Sequence, residues 1–194
     1  MAKIISAAEA AKLIKDQDVV ATTTMGLANF PEEIVVAIEE RYFTEKHPKD
    51  ITFIQACGAG NFQEGRGADH FAHEGLLKRL IAGHIGTSPK MGNMVAEGKI
   101  EAYLLPQGTI AQIYRSTAGK KPGVITKVGL GTYVDPRLQG GKVTEKTTED
   151  LIKIIEIEGE EWLHYKNLPV TVALIRGTTA DRNGNLTFED EIVT

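Results

Sequence analysis

Asp18-Val19-Val20-Ala21-Thr22, the small run Thr23 to Phe30, Pro31-Glu32-Glu33, and Ile51-Thr52-Phe53-Ile54-Gln55-Ala56 follow one another in the stretch that decides the fold. The first five residues read as a short strand, and Thr23 to Phe30 is turn-prone. Pro31 suits the first position of a helix, and two acids suit its first turn. Ile34, Ile38 and Tyr42 then give that helix a buried face. Ile51 to Ala56 is a second strand. Strand, loop, helix and strand in this order predict a parallel βαβ unit.

The same alternation extends outward. Toward the N-terminus, Ser6-Ala7-Ala8-Glu9 is a capping box that opens a short helix, with Ala7, Ala11 and Ile14 on one face. Toward the C-terminus lie a Gly-rich loop, Gly58 to Gly67, and a predicted helix marked by Leu76, Leu77, Leu80 and Ile81. A strand at Ile100 to Leu105 leads into a helix opening at Gln107-Gly108, with Ile110, Ile113 and Thr117 on one side. Gly123 to Thr126 is a short strand. The predicted fold class is therefore α/β, with a largely parallel sheet flanked by helices.

The last third reads differently. Leu151 to Ile157, Glu158-Gly159-Glu160 and Trp162 to Tyr165 form a hairpin pattern, and Asn183-Gly184 is a hairpin turn signal. Between them Val170 to Ile175 is a buried strand. The loop from Lys127 to Lys146 carries Gly129, Gly131, Gly140 and Gly141, and at that length is expected to be functional or partly mobile. The sequence stops at Glu191-Ile192-Val193-Thr194, directly after a hairpin signal. That end reads either as a frayed terminus or as a domain cut short.

Composition narrows the function classes. The 194 residues are 42% hydrophobic and 25% charged, which is globular and not disordered. The 20 glycines are about 10% of the chain against a usual ~7%, without a fixed period, so they serve turns and close approaches. The net charge is -4 and the 22 basic residues are scattered, which argues against a nucleic-acid surface. One cysteine, Cys57, excludes an intrachain disulfide framework and a multi-cysteine metal site, and points to the reducing cytoplasm. No apolar run reaches the ~18 residues of a membrane span, and Met1 to Ile5 lacks the apolar stretch of a signal peptide.

Ligands in an open α/β sheet bind beyond the carboxyl ends of the strands. Four segments are predicted to follow strands: Thr23 to Asn29, Gly58 to Gly67, Pro106-Gln107-Gly108, and Lys127 to Gly131. They are rich in Gly, Thr, Asn and Gln and poor in acids and bases, so they suit holding and polarising a group better than attacking it. Gly58-Ala59-Gly60-Asn61-Phe62-Gln63 is no dinucleotide fingerprint, since Gln63 replaces the third glycine; a plain turn of positive-φ glycines is the simpler reading. Gln107, between a strand and a helix, is either an oxyanion donor or a helix cap. His70 and His73 have the spacing for two-point metal ligation, but no third ligand is evident, and a hydrogen-bonding role is favoured. Cys57 reads as a small buried thiol, Glu32, Glu33, Glu39 and Glu40 as a solvated helix face, and Arg176 with Asp181 as an ion pair across a turn.

Several long stretches, in order, resemble the N-terminal half of the family I CoA-transferases of the acetate/propionate type. They are Asp69 to Arg79, Leu105-Pro106-Gln107-Gly108-Thr109, Lys121 to Thr132, Asp135-Pro136 with Gly140-Gly141-Lys142, and Val172 to Asp181. The resemblance covers essentially the whole chain. The resemblance implies one domain over residues 1–194, truncated at its C-terminal end, whether as a fragment or as one subunit of a split enzyme. It implies ping-pong transfer of CoA between an acyl-CoA and a free short-chain carboxylic acid. In that family a glutamate of the second half attacks the thioester, giving an acyl-glutamyl anhydride and then a glutamyl-CoA thioester.

That second half, or a beta-type subunit, is then the required partner, within a homo-oligomer. CoA and acyl-CoA enter as substrates, no bound cofactor or metal is expected, and this chain alone is expected to be inactive. The resemblance assigns Gln107 as donor to the thioester oxyanion; Gly26, Asn29, Gly58, Gly60 and Gly108, on the segments predicted to follow strands, are expected to bind substrate. The family's Gly-Gly-Phe-x-x-x-Gly-x-Pro loop reads here Thr23-Thr24-Met25-Gly26-Leu27-Ala28-Asn29-Phe30-Pro31. Only Pro31 matches, and Asn29 replaces a glycine at a position where asparagine tolerates the left-handed conformation. Two other readings remain open: a non-catalytic module binding an acyl-CoA or a sugar phosphate, and a purely structural subunit in which Gln107 is only a cap.

Overall fold

A computed structural model describes residues 3–191; residues 192–194, the end read as a frayed terminus or a domain cut short, lie outside it. In chain order the elements begin with α1 (Ala7–Ala11), β1 (Val19–Thr22), α2 (Glu32–Glu45), β2 (Ile51–Gln55) and a 3₁₀ turn (Gly67–Phe71). Next come β3 (Leu77–Ala82), α3 (Pro89–Ala96), β4 (Glu101–Leu104) and α4 (Gln107–Ala118). The remaining strands are β5 (Val124–Thr126), β6 (Ile152–Ile157), β7 (Glu160–Tyr165), β8 (Val172–Leu174), β9 (Thr179–Ala180) and β10 (Leu186–Thr187). Five strands form a parallel sheet in the order β4-β3-β2-β1-β8. β5, β7 and β6 make a separate antiparallel sheet, and β9 and β10 an antiparallel pair. No helix among the described residues is long and apolar enough to cross a membrane.

Strands β1 to β4 are largely apolar on both sides because both sides are covered; the edge strand β8 is not the buried strand expected over 170–175, since only Leu174 of its three residues is buried. Successive side chains alternate between two cores, as the strand pleat requires. Val20, Phe53, Leu80 and Ala102 face α1, α2, the 3₁₀ turn and α3. Ala21, Ile54, Ile81 and Tyr103 face α4 and the β5-β7-β6 sheet, through Ile110, Ile113, Leu163 and Tyr165. The connections leaving β1, β2 and β3 therefore cross one face, while the one leaving β4 crosses the other and returns to lie beside β1. This is what right-handed crossovers demand when the strand order reverses. The divergence between β3 and β4 is a topological switch point, where such sheets open a crevice.

The structure revises several readings. Leu76, Leu77, Leu80 and Ile81 belong to no helix; residues 77–82 are β3, whose short, continuous apolar run suits a central strand buried on both faces. The helix lies further on, as α3. It starts in the Ser88-Pro89 pair, and Asp69, fully buried, accepts from the Met91 amide at 3.0 Å in its first turn. β5 pairs with β7 and not with the parallel sheet, so Lys127 to Gly131 is not one of the loops at that sheet's carboxyl edge.

The long loop is tied down along its length. Asp135, 1% exposed, accepts from the Gly131 amide and binds Arg137, and Leu104 donates to the Gly141 carbonyl at 2.9 Å. Arg176 pairs with Glu191 and not with Asp181, which instead takes the amides of Asn183 and Asn185 and shapes the β9–β10 turn.

Candidate functional site

Parallel pairing brings the carboxyl ends of β1, β2, β3 and β4 to one edge. The loops that leave them are 23–31, 56–66, 83–88 and 105–106. The third was missed with β3; a strand ending at Ala82 is the signal that finds it. The first two loops clasp each other: the Gly26 amide donates to the Gly58 carbonyl at 2.8 Å. Asn29 takes φ 59°, the left-handed conformation expected for it, and the Thr24 hydroxyl lies 2.6 Å from the Ala28 carbonyl oxygen within the same turn.

Gly58 and Gly60 do not act as positive-φ turn residues. A β-carbon on Gly60 would lie 2.2 Å from the Thr87 carbonyl oxygen, and one on Gly58 would lie 2.6 Å from the Thr87 hydroxyl. They are glycines so that the loops after β2 and β3 can touch. Phe62 donates its amide to the Thr87 carbonyl, and the Ser88 hydroxyl donates to Ala59.

Gln107 is the first residue of α4, directly after Pro106, and is exposed at the switch point. Its backbone presses on Gly83, where a β-carbon would lie 3.2 Å from the Gln107 Cα and Cβ and 2.1 Å from the Ala56 carbonyl oxygen. Thr109 and Ile110 donate to the Pro106 carbonyl. The Gln107 and Gly108 amides open the helix without a protein acceptor among the described residues, the arrangement that favours negative charge at a helix N-terminus. Gly108 has nothing within 4 Å of a built β-carbon. The carboxamide of Gln107 is exposed and makes no hydrogen bond among the described residues.

The edge is also where polar groups go unpaired. Thr22 Oγ1, Asn29 Oδ1, Gln55 Oε1 and Thr87 Oγ1 are buried without a hydrogen-bond partner, half of the eight such side-chain atoms among the described residues. Unpaired buried polar atoms are costly, and this edge carries half of those found among the described residues. The single glutamate on the four loops is Glu64, exposed at the tip of the second.

Glu32 and Glu39 are not part of a solvated face, unlike the exposed Glu33 and Glu40. Glu39 bonds His70 Nδ1 and His73 Nε2, each at 2.6 Å, and Glu32 bonds His70 Nε2 at 3.1 Å. Burial pushes the Glu39 carboxyl up, but the hydrogen bonds from His73 and His70 outweigh it and hold it below its ordinary value. Glu32 also accepts from the Gly67 amide at 3.1 Å, which fastens the end of the glycine loop to α2. The histidines thus take the hydrogen-bonding role, and no group of metal-ligating side chains is found among the described residues. Cys57 is half-buried at the end of β2 and unpaired.

Comparison with known proteins places these features in context. The family profile described as coenzyme A transferase matches residues 4–193. The chain is 50% identical over 191 residues to the caffeate CoA-transferase of Acetobacterium woodii and 38% identical to the acetate CoA-transferase YdiF of Escherichia coli K12. Each alignment covers 98% of this chain and 36% of the relative, so the chain spans about a third of the length of these relatives. The crystal structure of the Escherichia coli O157:H7 acyl-CoA transferase YdiF, as a thioester complex with CoA, superposes with a TM-score of 0.92 at 39% identity. That superposition covers 96% of this chain and 36% of the other. The glutaconate coenzyme A-transferase of Acidaminococcus fermentans, at 19% identity and a TM-score of 0.72, shares the fold.

Proposed function

From the premise that this chain belongs to the coenzyme A transferase family, we propose that it supplies the electrophile-polarising wall of an acyl-CoA:carboxylate CoA-transferase. The observation that carries the proposal is Gln107, exposed at the head of α4 and at the switch point, with the helix's first free amides beside it. A carbonyl oxygen that gains negative charge as a nucleophile adds is stabilised by donors already in place. The loops around Gly26, Asn29, Gly58 and Gly60 form the opposite wall.

The nucleophile belongs to a second part of the protein. Its glutamate carboxylate attacks the thioester and expels the CoA thiolate, which leaves an acyl-glutamyl anhydride. The thiolate then attacks the glutamyl carbonyl, expels the acid as carboxylate and leaves a glutamyl-CoA thioester. An incoming acid reverses these steps and departs as the new acyl-CoA. CoA and acyl-CoA enter as substrates, and no resident cofactor is needed. Relatives named for acetate support a short-chain acid, and the family membership and single cysteine support a cytoplasmic, oligomeric enzyme.

The test assays CoA transfer from propionyl-CoA to acetate by this chain alone and by the chain joined to a nucleophile-bearing second part. Transfer is expected only from the joined protein, and Gln107→Ala is expected to lower kcat there about 10²–10³-fold. Robust transfer by the chain alone would move the nucleophile to this chain, with Glu64 first in line. Tight sugar-phosphate binding by a joined protein that transfers nothing would replace the reading with that of a binding module.

A further inference from the structure

The chain has five histidines, and four of them have partners. His47 bonds the Asp16 carboxylate at 2.9 Å, His70 and His73 bond Glu39, and His164 bonds the Pro122 carbonyl at 2.9 Å. The ring of His84 alone has no hydrogen-bond partner among the described residues. It is exposed, two residues past the end of β3, on the loop that leaves that strand at the sheet's carboxyl edge.

The position of this ring is nevertheless built. The His84 carbonyl accepts from the buried Gln55 amide at 3.2 Å, and the preceding amide, on Gly83, donates to the Gln55 carbonyl at 3.2 Å. The imidazole lies against two glycines: a β-carbon on Gly58 would stand 2.9 Å from His84 Cδ2, and one on Gly86 would stand 2.9 Å from His84 Cε1. The adjoining Gly83 is the residue pressed against Gln107. A fixed backbone, a ring bedded between glycines and free ring nitrogens describe a donor held ready for an acceptor from outside the chain.

We propose that His84 is a substrate-binding residue whose ring N–H donates to a carboxylate oxygen of the acid co-substrate, across the crevice from the Gln107 amide. This rests on the transferase reading above and adds to it a residue that orients the acid. The acid's carboxylate is the partner because, apart from Arg66 at the far end of the second loop, the four loops offer only neutral donors and hydroxyls, and the imidazole N–H that adjoins Gly83 suits an anionic oxygen.

The experiment uses the joined protein, with propionyl-CoA and acetate. His84→Ala is expected to raise the KM for acetate about tenfold or more, while the KM for propionyl-CoA stays within about twofold. His84→Gln, which keeps an N–H, is expected to recover part of the loss. Gly86→Ala is the second arm, because the three atoms nearest its new methyl all belong to the His84 ring. It should raise the acetate KM in the same direction and add nothing in a His84→Ala background.

An acetate KM unchanged in both single variants overturns the proposal, and so do fully additive effects in the double variant. Acetate binding measured by calorimetry separates this outcome from a failure of the functional reading. If the wild-type protein transfers no CoA, that reading falls, while weaker acetate binding by His84→Ala still supports the site and equal binding overturns it.

Discussion

Gly83 matters for the side chain it lacks. A β-carbon there would come within 2.1 Å of the Ala56 carbonyl oxygen and press on the first residue of α4. Gly83→Ala in the joined protein must therefore move the strand end or displace Gln107. A shift of about 1 Å at a reacting centre costs on the order of 10²-fold in rate. A kcat lowered to about that extent, with secondary structure by circular dichroism unchanged, is the expected outcome. Residues of this kind are partly legible in sequence. Asn29 was readable as a left-handed position, because its side chain tolerates that conformation and few others do. The reason for Gly58 and Gly60 was not, since it lies in Thr87, a residue 29 and 27 positions further along that only folding brings near.

At the scale of elements, α2 and the loop that ends at Gly67 are joined by Glu32, His70, Glu39 and His73. Periodicity exposed the helix and its first-turn acids but not this clamp. Charged residues on a helix read as solvated until a second element supplies partners. The clamp gives a pH signature with a definite sign. Glu39 is 16% exposed and its carboxyl is held below its ordinary value, so it stabilises the folded state above about pH 4.5 and loses that effect as pH falls through the lowered value. Glu39→Gln is expected to be less stable near neutrality by about 1–3 kcal/mol and to show a flatter decline in acid, read from urea midpoints across that range. β3 shows the opposite limit of sequence reading. Its apolar run fits either a strand or a buried helix turn, and the choice is made by burial on two faces, which no local pattern contains.

Over the whole molecule, the parallel order β4-β3-β2-β1-β8 depends on a chain that returns from α4 through a second sheet before β8 can pair. The alternation of strands and helices announced this α/β plan, and the hairpin signals announced the antiparallel region. The switch point was not legible until β3 was known. The return is secured at Thr171, whose hydroxyl accepts from the Val19 amide at 2.9 Å and donates to Asp18 at 2.8 Å. Those bonds join positions 152 and 153 residues apart. Thr171→Val keeps the shape and removes both. At an exposed position this should cost about 1 kcal/mol and lower Tm by about 2–4 °C, measured by calorimetric melting of wild type and variant side by side.

Gln107 rides on the layer that follows β4, whereas the loops bearing Gly26, Gly58 and His84 ride on the layer behind β1 to β3, and the two meet at Gly83. On the function proposed above, polarising the electrophile and holding the acid fall to different pieces of chain. One can be rewritten by exchanging loops among kin while the other is inherited untouched.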